Sequence, residues 1–159
     1  MTHKEIVDFG EKWLRKKKSH NIVVPNCTTI AKELVTMNSE TPDLIGWNYA
    51  CSVVIEVKTS LADFKRDAKK IYRNWSSGMG QLRYFLVPAG LITIEDVKST
   101  YNSYGLLYID DNGKIRIAKE AKFKDNADVI SERMVLLSII RRQRNELKSL
   151  INEKDLTTK

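Results

Sequence analysis

The sequence predicts a mixed α/β domain, in which one β-sheet is flanked by helices. Short β-branched runs alternate with stretches whose apolar residues recur at helical spacing, and Asn112-Gly113 stands between two further β-rich runs. The 159 residues, 42% of them hydrophobic, suffice for one core but not for two ordinary domains. We therefore expect a single domain over residues 1–154 and a flexible tail at 155–159.

The N-terminal third predicts a helix followed by strands. Thr2 precedes apolar residues at helical spacing, which indicates a helix over residues 3–18. Residues 22–24 are β-branched and end at Pro25, and residues 28–37 fit a strand better than a short helix. A turn-like gap at 38–40 leads to a strand at 43–47, so these last two strands are expected to form a hairpin.

The middle of the chain predicts a buried strand and a helix. The run from Ser52 to Lys58 is rich in Val and Ile and too short for a typical helix, which indicates a central strand. Ser60 stands three residues before Asp63, the spacing of a helix N-cap, and apolar residues then follow at steps of three or four. We expect a helix over residues 61–74.

The C-terminal half predicts a strand, a hairpin and a long helix. Leu82 to Val87 is a strand ended by Pro88, and a short connection around residues 94–98 follows. Residues 104–109 should pair with 114–118 across Asn112-Gly113, because both turn residues tolerate positive φ. Apolar residues at helical spacing then indicate a helix over residues 127–152.

Charge and cysteine content limit the class of protein. The net charge of +7, from 27 Lys and Arg against 20 Asp and Glu, favours a polyanionic partner such as nucleic acid. Cys27 and Cys51 are not spaced as a metal knuckle, and the charged stretch from Met1 to Lys18 does not resemble a signal peptide, so a cytoplasmic location is expected. Membrane binding is not expected, because no apolar run approaches the length of a bilayer span.

Two acidic residues and a lysine at adjacent strand ends form the candidate chemical site. Side chains alternate along a strand, so Glu56 and Lys58 should share one face. If the strand begun by Asp43 lies beside it, two carboxylates come close together and repel each other unless a cation lies between them. Two carboxylates, a backbone carbonyl and water suit a hard divalent ion, so we expect Mg²⁺, with Mn²⁺ as the alternative.

The pattern of Pro42-Asp43 followed by Glu56-Val57-Lys58 at the end of an apolar strand resembles the PD-(D/E)XK nuclease superfamily. The likeness extends over roughly residues 30–120 and is strongest to small standalone members tied to DNA repair or mobile elements. It implies a restriction-endonuclease-like mixed sheet, with a C-terminal hairpin and long C-terminal helix in this chain. It also implies that Asp43, Glu56 and Lys58 are catalytic, and that Asp43, Glu56 and the Val57 carbonyl bind the metal.

Two details of the implied site remain open at this stage. Lys58 could orient or deprotonate the attacking water, or hold the phosphate. Many superfamily members add an acidic ligand from the first helix or strand, and here Glu33 is preferred over Glu5 and Glu11.

Basic residues supply candidate DNA contacts. The helix that leaves Lys58 carries a basic face that can reach a bound backbone, and we expect DNA contact there. Its residues are Lys65, Arg66, Lys69, Lys70 and Arg73. Two other clusters, Lys12 to Lys18 and Arg141 to Arg144, are left undecided. His3 and His20 lie far from the motif in sequence and are expected to be surface residues rather than ligands or bases.

These observations predict a Mg²⁺-dependent deoxyribonuclease that acts in repair, restriction or mobile-element processing. The alternatives are a nuclease-fold DNA-binding module without activity, and an interaction protein that oligomerises or binds a protein partner through its C-terminal helix. Substrate strandedness, sequence and mode of cleavage do not follow from the sequence.

Overall fold

In the part of the chain that the structure describes, six strands form one mixed sheet whose spatial order is the order of the chain. The structure is a computed structural model, and it describes residues 1–16, 25–32, 40–71 and 78–157. The strands are β1 (Thr29–Lys32), β2 (Leu44–Trp47), β3 (Ser52–Val57), β4 (Leu82–Pro88), β5 (Gly105–Ile109) and β6 (Ile115–Lys119). The helices are α1 (His3–Arg15), α2 (Leu61–Ile71), α3 (Ile94–Thr100) and α4 (Val129–Thr157). The expected α/β class, with a C-terminal hairpin and a long last helix, is confirmed.

The sheet is antiparallel at both edges and parallel in the middle. β1, β2 and β3 pair antiparallel, β3, β4 and β5 pair parallel, and β5 and β6 pair antiparallel. Parallel neighbours need a crossover connection, and α2 and α3 occupy the two crossovers. The sequence analysis expected only a short connection where α3 lies, although Thr93 and Asp96 form a capping box at its start.

Helices cover both faces of the sheet. On one face, Ile6 and Leu14 of α1 pack in a cluster with buried residues of β2 to β5 such as Ile55 and Leu86. On the other face, one cluster joins Phe64 of α2 to the sheet and to α3. A second cluster on that face contains residues of β1, β2, β3 and α4. The apolar run of β3 is therefore buried on both sides, which explains its lack of apolar-polar alternation.

The β5–β6 hairpin turns through a three-residue loop. Asp110 and Lys114 close the loop with an N–H···O bond of 3.2 Å, and the Gly113 N–H donates to the Asp110 carbonyl at 2.9 Å. Of the Asn112-Gly113 pair, only Gly113 has a positive φ, 77°. The hairpin was predicted, but its turn is the three-residue kind with glycine in the left-handed region rather than a two-residue turn.

Several element ends differ from the sequence prediction. α1 ends at Arg15 instead of residue 18, and α4 continues past the expected end at 152 to Thr157. Three parts of the prediction lie outside the described residues. They are residues 22–24, the part of the predicted strand that follows Lys32, and the predicted end of α2 after residue 71.

The first turns of α4 are bonded to the sheet, and its later turns are exposed. The buried carboxylate of Glu132 accepts bonds from Trp47 Nε1 at 3.0 Å, Ser52 Oγ at 2.8 Å and the Gly80 N–H at 2.8 Å. From residue 140 to 152, every side chain is exposed. Across the described part of the chain, no helix is both long enough and apolar enough to cross a membrane.

Candidate functional site

Asp43 and Glu56 lie at the ends of adjacent strands. Leu44 of β2 is paired with Ile55 of β3, so Asp43 and Glu56 occupy the next pair of positions outward. Glu56 projects to the face that α2 and α3 cover, because Phe85, its partner on β4, belongs to their cluster.

The Asp43 carboxylate has two neighbours. Its Oδ2 accepts a bond of 2.7 Å from the Val57 N–H, and its Oδ1 lies 3.4 Å from His3 Nε2. His3, which the sequence analysis expected to be a surface residue, is 42% exposed and lies beside the motif in space although it is far from it in sequence. The start of α1 reaches the end of β2 only through the packing of the helix on the sheet, so sequence separation carried no signal of the contact.

Glu56 is a mostly buried carboxylate whose charge is incompletely compensated. Its side chain is 16% exposed, and its Oε1 lies 3.5 Å from Arg83 Nη2. Burial raises the pKa of Glu56 to about 8, with Arg83 and Lys58 lowering it and Asp43 and Asp67 raising it. The charges of all four residues are thus close enough to act on Glu56.

Lys58 is held as a cation by α2. Its side chain is 8% exposed, and its Nζ lies 2.7 Å from Asp67 Oδ2 and 4.0 Å from Asp63 Oδ2. Burial lowers the pKa of Lys58, but the bond to Asp67 and the neighbouring carboxylates outweigh it, so the pKa lies above its ordinary value. Lys58 is therefore protonated at neutral pH.

Arg83 of β4 is a site residue that the sequence analysis missed. Its Nη1 donates to Glu40 Oε1 at 2.6 Å and to the Met79 carbonyl at 2.6 Å. Its guanidinium carbon lies 5.2 Å from the centre of the Tyr104 ring. The position of Arg83 depends on the parallel register of β3 and β4, which the chain's local pattern does not specify. Asp63 and Asp67 did carry a signal, since their spacing of four places both on one face of a helix that starts beside Lys58.

The three acidic residues considered as an additional metal ligand do not join Asp43 and Glu56 in the described structure. Glu5 belongs to the capping box of α1 with Thr2, and Glu11 pairs with Arg15 and Lys32. Both carboxylates are thus engaged away from Asp43 and Glu56. The preferred extra ligand, Glu33, lies outside the described residues.

The predicted DNA-binding face is described in part. Lys65 and Arg66 are exposed on α2, the same helix that supplies Asp63 and Asp67 to Lys58. Lys69 and Lys70 lie within α2 but their side chains fall outside the described part of the structure, as does the whole of Arg73.

The donor set suits a hard cation that keeps much of its water. In the described ranges, no three His, Cys, Asp or Glu residues are arranged to hold a metal ion. Protein ligation would therefore rest on the carboxylates of Asp43 and Glu56 with a backbone carbonyl. Mg²⁺ is commonly held by one or two carboxylates plus water and substrate phosphate. A cation would also supply the compensation that the buried Glu56 lacks, so the residues present fit such an ion.

Comparison with known proteins gives a fold and no function. No family model matches the chain, and no curated protein matches it. A solved structure of a protein of unknown function from Silicibacter pomeroyi is similar, with a TM-score of 0.52 and 22% sequence identity. The match covers 75% of this chain and 78% of that one. The class that fold and site define is an α/β protein with an acidic, partly buried site at the ends of the adjacent strands β2 and β3.

Proposed function

We propose that this protein is a metal-dependent DNA nuclease of the PD-(D/E)XK kind, which hydrolyses phosphodiester bonds. The observation that carries the proposal is the position of Asp43 and Glu56, side by side at the ends of β2 and β3, with Lys58 directly after β3. The resemblance of Pro42-Asp43 and Glu56-Val57-Lys58 to that superfamily supports it, and so does the net charge of +7.

Each residue has a defined task in this proposal. Asp43, Glu56 and the Val57 carbonyl hold Mg²⁺ or Mn²⁺, which when bound polarises the scissile phosphate and activates a water. Lys58 acts as a cation that donates to the phosphate or orients the water, since its raised pKa disfavours the role of base at neutral pH. Asp67 holds the Lys58 amine in place. The exposed Lys65 and Arg66 contact the DNA backbone beyond the site.

The test is incubation of the purified full chain with plasmid, linear duplex and single-stranded DNA, with Mg²⁺, with Mn²⁺ and with chelator. We expect cleavage that needs the divalent ion. Asp43→Ala and Glu56→Ala should abolish it with loss of metal affinity, whereas Lys58→Ala should slow cleavage with metal affinity largely kept. Lys114→Ala, at an exposed lysine beside the hairpin turn, is the control and should cleave normally.

A DNA-binding module without activity is the second candidate. The observation that favours it is that basic side chains already lie beside the acids, with Lys58 at 2.7 Å from Asp67 and Arg83 at 3.5 Å from Glu56. If DNA binds but no form is cleaved with either metal, this candidate replaces the nuclease.

Association through α4 is a third candidate. Large apolar side chains are exposed along this helix, namely Ile130, Met134, Leu137, Ile140, Leu147, Leu150 and Ile151. Such a surface fits a protein partner or a second copy of the chain. Light scattering of the purified protein at increasing concentration measures association between copies of the chain directly. A constant monomer mass would contradict such association.

A further inference from the structure

One edge of the Arg83 guanidinium lacks a strong acceptor. Its Nη1 is engaged by Glu40 and the Met79 carbonyl, both at 2.6 Å. By contrast, among the described residues Nη2 reaches only Glu56, at 3.5 Å. The Nε atom is buried and has no hydrogen-bond partner within the described structure. A buried N–H without an acceptor costs free energy comparable to that of a missing hydrogen bond, and the cost is larger for a charged group.

The edge is also held rigidly. The side chain is 10% exposed, its Nη1 is fixed by two short bonds, and its guanidinium carbon lies over the Tyr104 ring. The N–H groups of Nε and Nη2 on this edge point in one direction, which is the geometry that binds two oxygens of a carboxylate or phosphate at once. Glu56 makes only one long contact there, through Oε1.

We propose that the Nε–Nη2 edge of Arg83 is a phosphate-binding group that contacts two oxygens of a DNA phosphodiester beside the cation site. This inference rests on the proposed function, because it takes Glu56 as a cation ligand. When the phosphate binds, Arg83 loses its long contact with Glu56 Oε1. Its bonds to Glu40 and the Met79 carbonyl stay in place. Arg83 then presents a positive edge next to the cation. This is where negative charge develops on the oxygens of the scissile phosphate.

Nuclear magnetic resonance of the Arg83 Nε–Hε group tests the contact in the wild-type chain. The ¹⁵N-labelled protein is titrated, with Mg²⁺ present, with a phosphorothioate oligonucleotide that resists cleavage and, separately, with inorganic phosphate. We expect the Arg83 signal to move on addition of DNA and the signal of exposed Arg116 to stay. An unmoved Arg83 signal at saturating DNA would overturn the assignment, whether or not the signal moves with inorganic phosphate.

Arg83→Lys tests the edge itself, since lysine keeps the charge but has no pair of parallel donors. We expect DNA affinity to fall about 10- to 100-fold, the equivalent of one or two charge-assisted hydrogen bonds. Arg116→Lys is the matched control, because Arg116 also stacks on a tyrosine, at 4.7 Å from the Tyr108 ring centre, but lies exposed. It should bind DNA as the wild type does. If Arg83→Lys does not fold, the wild-type titration decides alone.

The outcomes separate this inference from the proposed nuclease activity. If no DNA is cleaved but the Arg83 signal moves with DNA, the nuclease proposal fails and the phosphate contact stands in a binding module. If DNA is cleaved while the Arg83 signal is unmoved and Arg83→Lys cleaves normally, the nuclease stands and the contact is overturned.

Discussion

The Asp43 carboxylate accepts a 2.7 Å hydrogen bond from the Val57 N–H, in the peptide group that joins Glu56 to Val57. This single bond connects the residue before β2 to the end of β3. It therefore fixes the two halves of the acidic motif relative to each other. Asp43 has a structural task in addition to the proposed one of metal ligand.

The two tasks of Asp43 can be separated by two substitutions. Asp43→Ala leaves the partly buried Val57 N–H without its acceptor and should lower the free energy of unfolding by about 1–3 kcal/mol. Asp43→Asn keeps an acceptor oxygen, so its loss in urea unfolding should be clearly smaller. Both variants should bind Mn²⁺ more weakly by calorimetry, because both lack the charge. Wild-type Mn²⁺ affinity in Asp43→Asn would remove Asp43 from the ligand set.

Glu56 should make the metal-free protein less stable at alkaline pH. The folded pKa of about 8 lies above the ordinary 4.5, so the stabilisation is fully present below 4.5 and is lost as pH rises through 8. Glu56→Gln cannot ionise and should lack this loss. With chelator present, the stability of Glu56→Gln relative to wild type should increase by a few kcal/mol between pH 5 and 9. A pH-independent difference in urea unfolding would contradict the raised pKa.

The residues of the acidic motif could be predicted from the sequence, but most of the side chains that contact them could not. Asp43, Glu56 and Lys58 could be placed because strand alternation is local and the apolar run of β3 is unmistakable. The contacts of Glu56 with Arg83 and of Asp43 with His3 depend on strand register and helix packing, which are set by the whole core. These neighbours were therefore beyond the reach of sequence pattern.

The missed helix has a similar physical cause. α3 has only seven residues, and its intrinsic tendency to form a helix is small at that length. Val97 at its centre is fully buried in the cluster with Phe85 and Phe64. Packing against the sheet stabilises this helix, and the capping box of Thr93 and Asp96 was the one local signal that pointed to it.

The charge of Lys58 should depend on Asp67 more than on Asp63. Asp67→Asn removes the carboxylate at 2.7 Å and should lower the pKa of Lys58, whereas Asp63→Asn removes one at 4.0 Å and should lower it less. If Lys58 works as a cation, the alkaline limb of the cleavage profile should move to lower pH in Asp67→Asn. If Lys58 worked as a base, the acid limb would move to lower pH instead, and an alkaline limb that stays in place would contradict the role of cation.

Glu132 should be a major determinant of stability. Glu132→Gln replaces one acceptor oxygen by an amide that faces donors from Ser52, Gly80 or Trp47, and unfolding free energy should fall by about 1–3 kcal/mol. Glu146→Gln makes the same change on the exposed part of the same helix and should have little effect. Equal urea midpoints for the two variants would show that the Glu132 bonds contribute nothing net.

The basic face of α2 should determine how DNA binding depends on salt. Neutral residues in place of Lys65, Arg66, Lys69, Lys70 and Arg73 should reduce the salt slope by about one for each phosphate that the protein no longer neutralises. The comparison variant neutralises Arg141, Arg142 and Arg144, which lie on the exposed part of α4. If only the variant with Arg141, Arg142 and Arg144 neutralised changes the salt slope, DNA binds along α4.

The agreement between strand order and chain order has a consequence for folding. Each strand from β2 to β6 pairs with the strand made just before it, so the sheet can grow during synthesis by adding one strand at a time to an existing edge. Such pairings close short loops, which favours rapid folding. The bonds of Glu132 to Trp47 and Ser52 have a much longer range, since they span 85 and 80 residues. A nascent chain can therefore complete all six strands before the contact that secures the early strands has been synthesised.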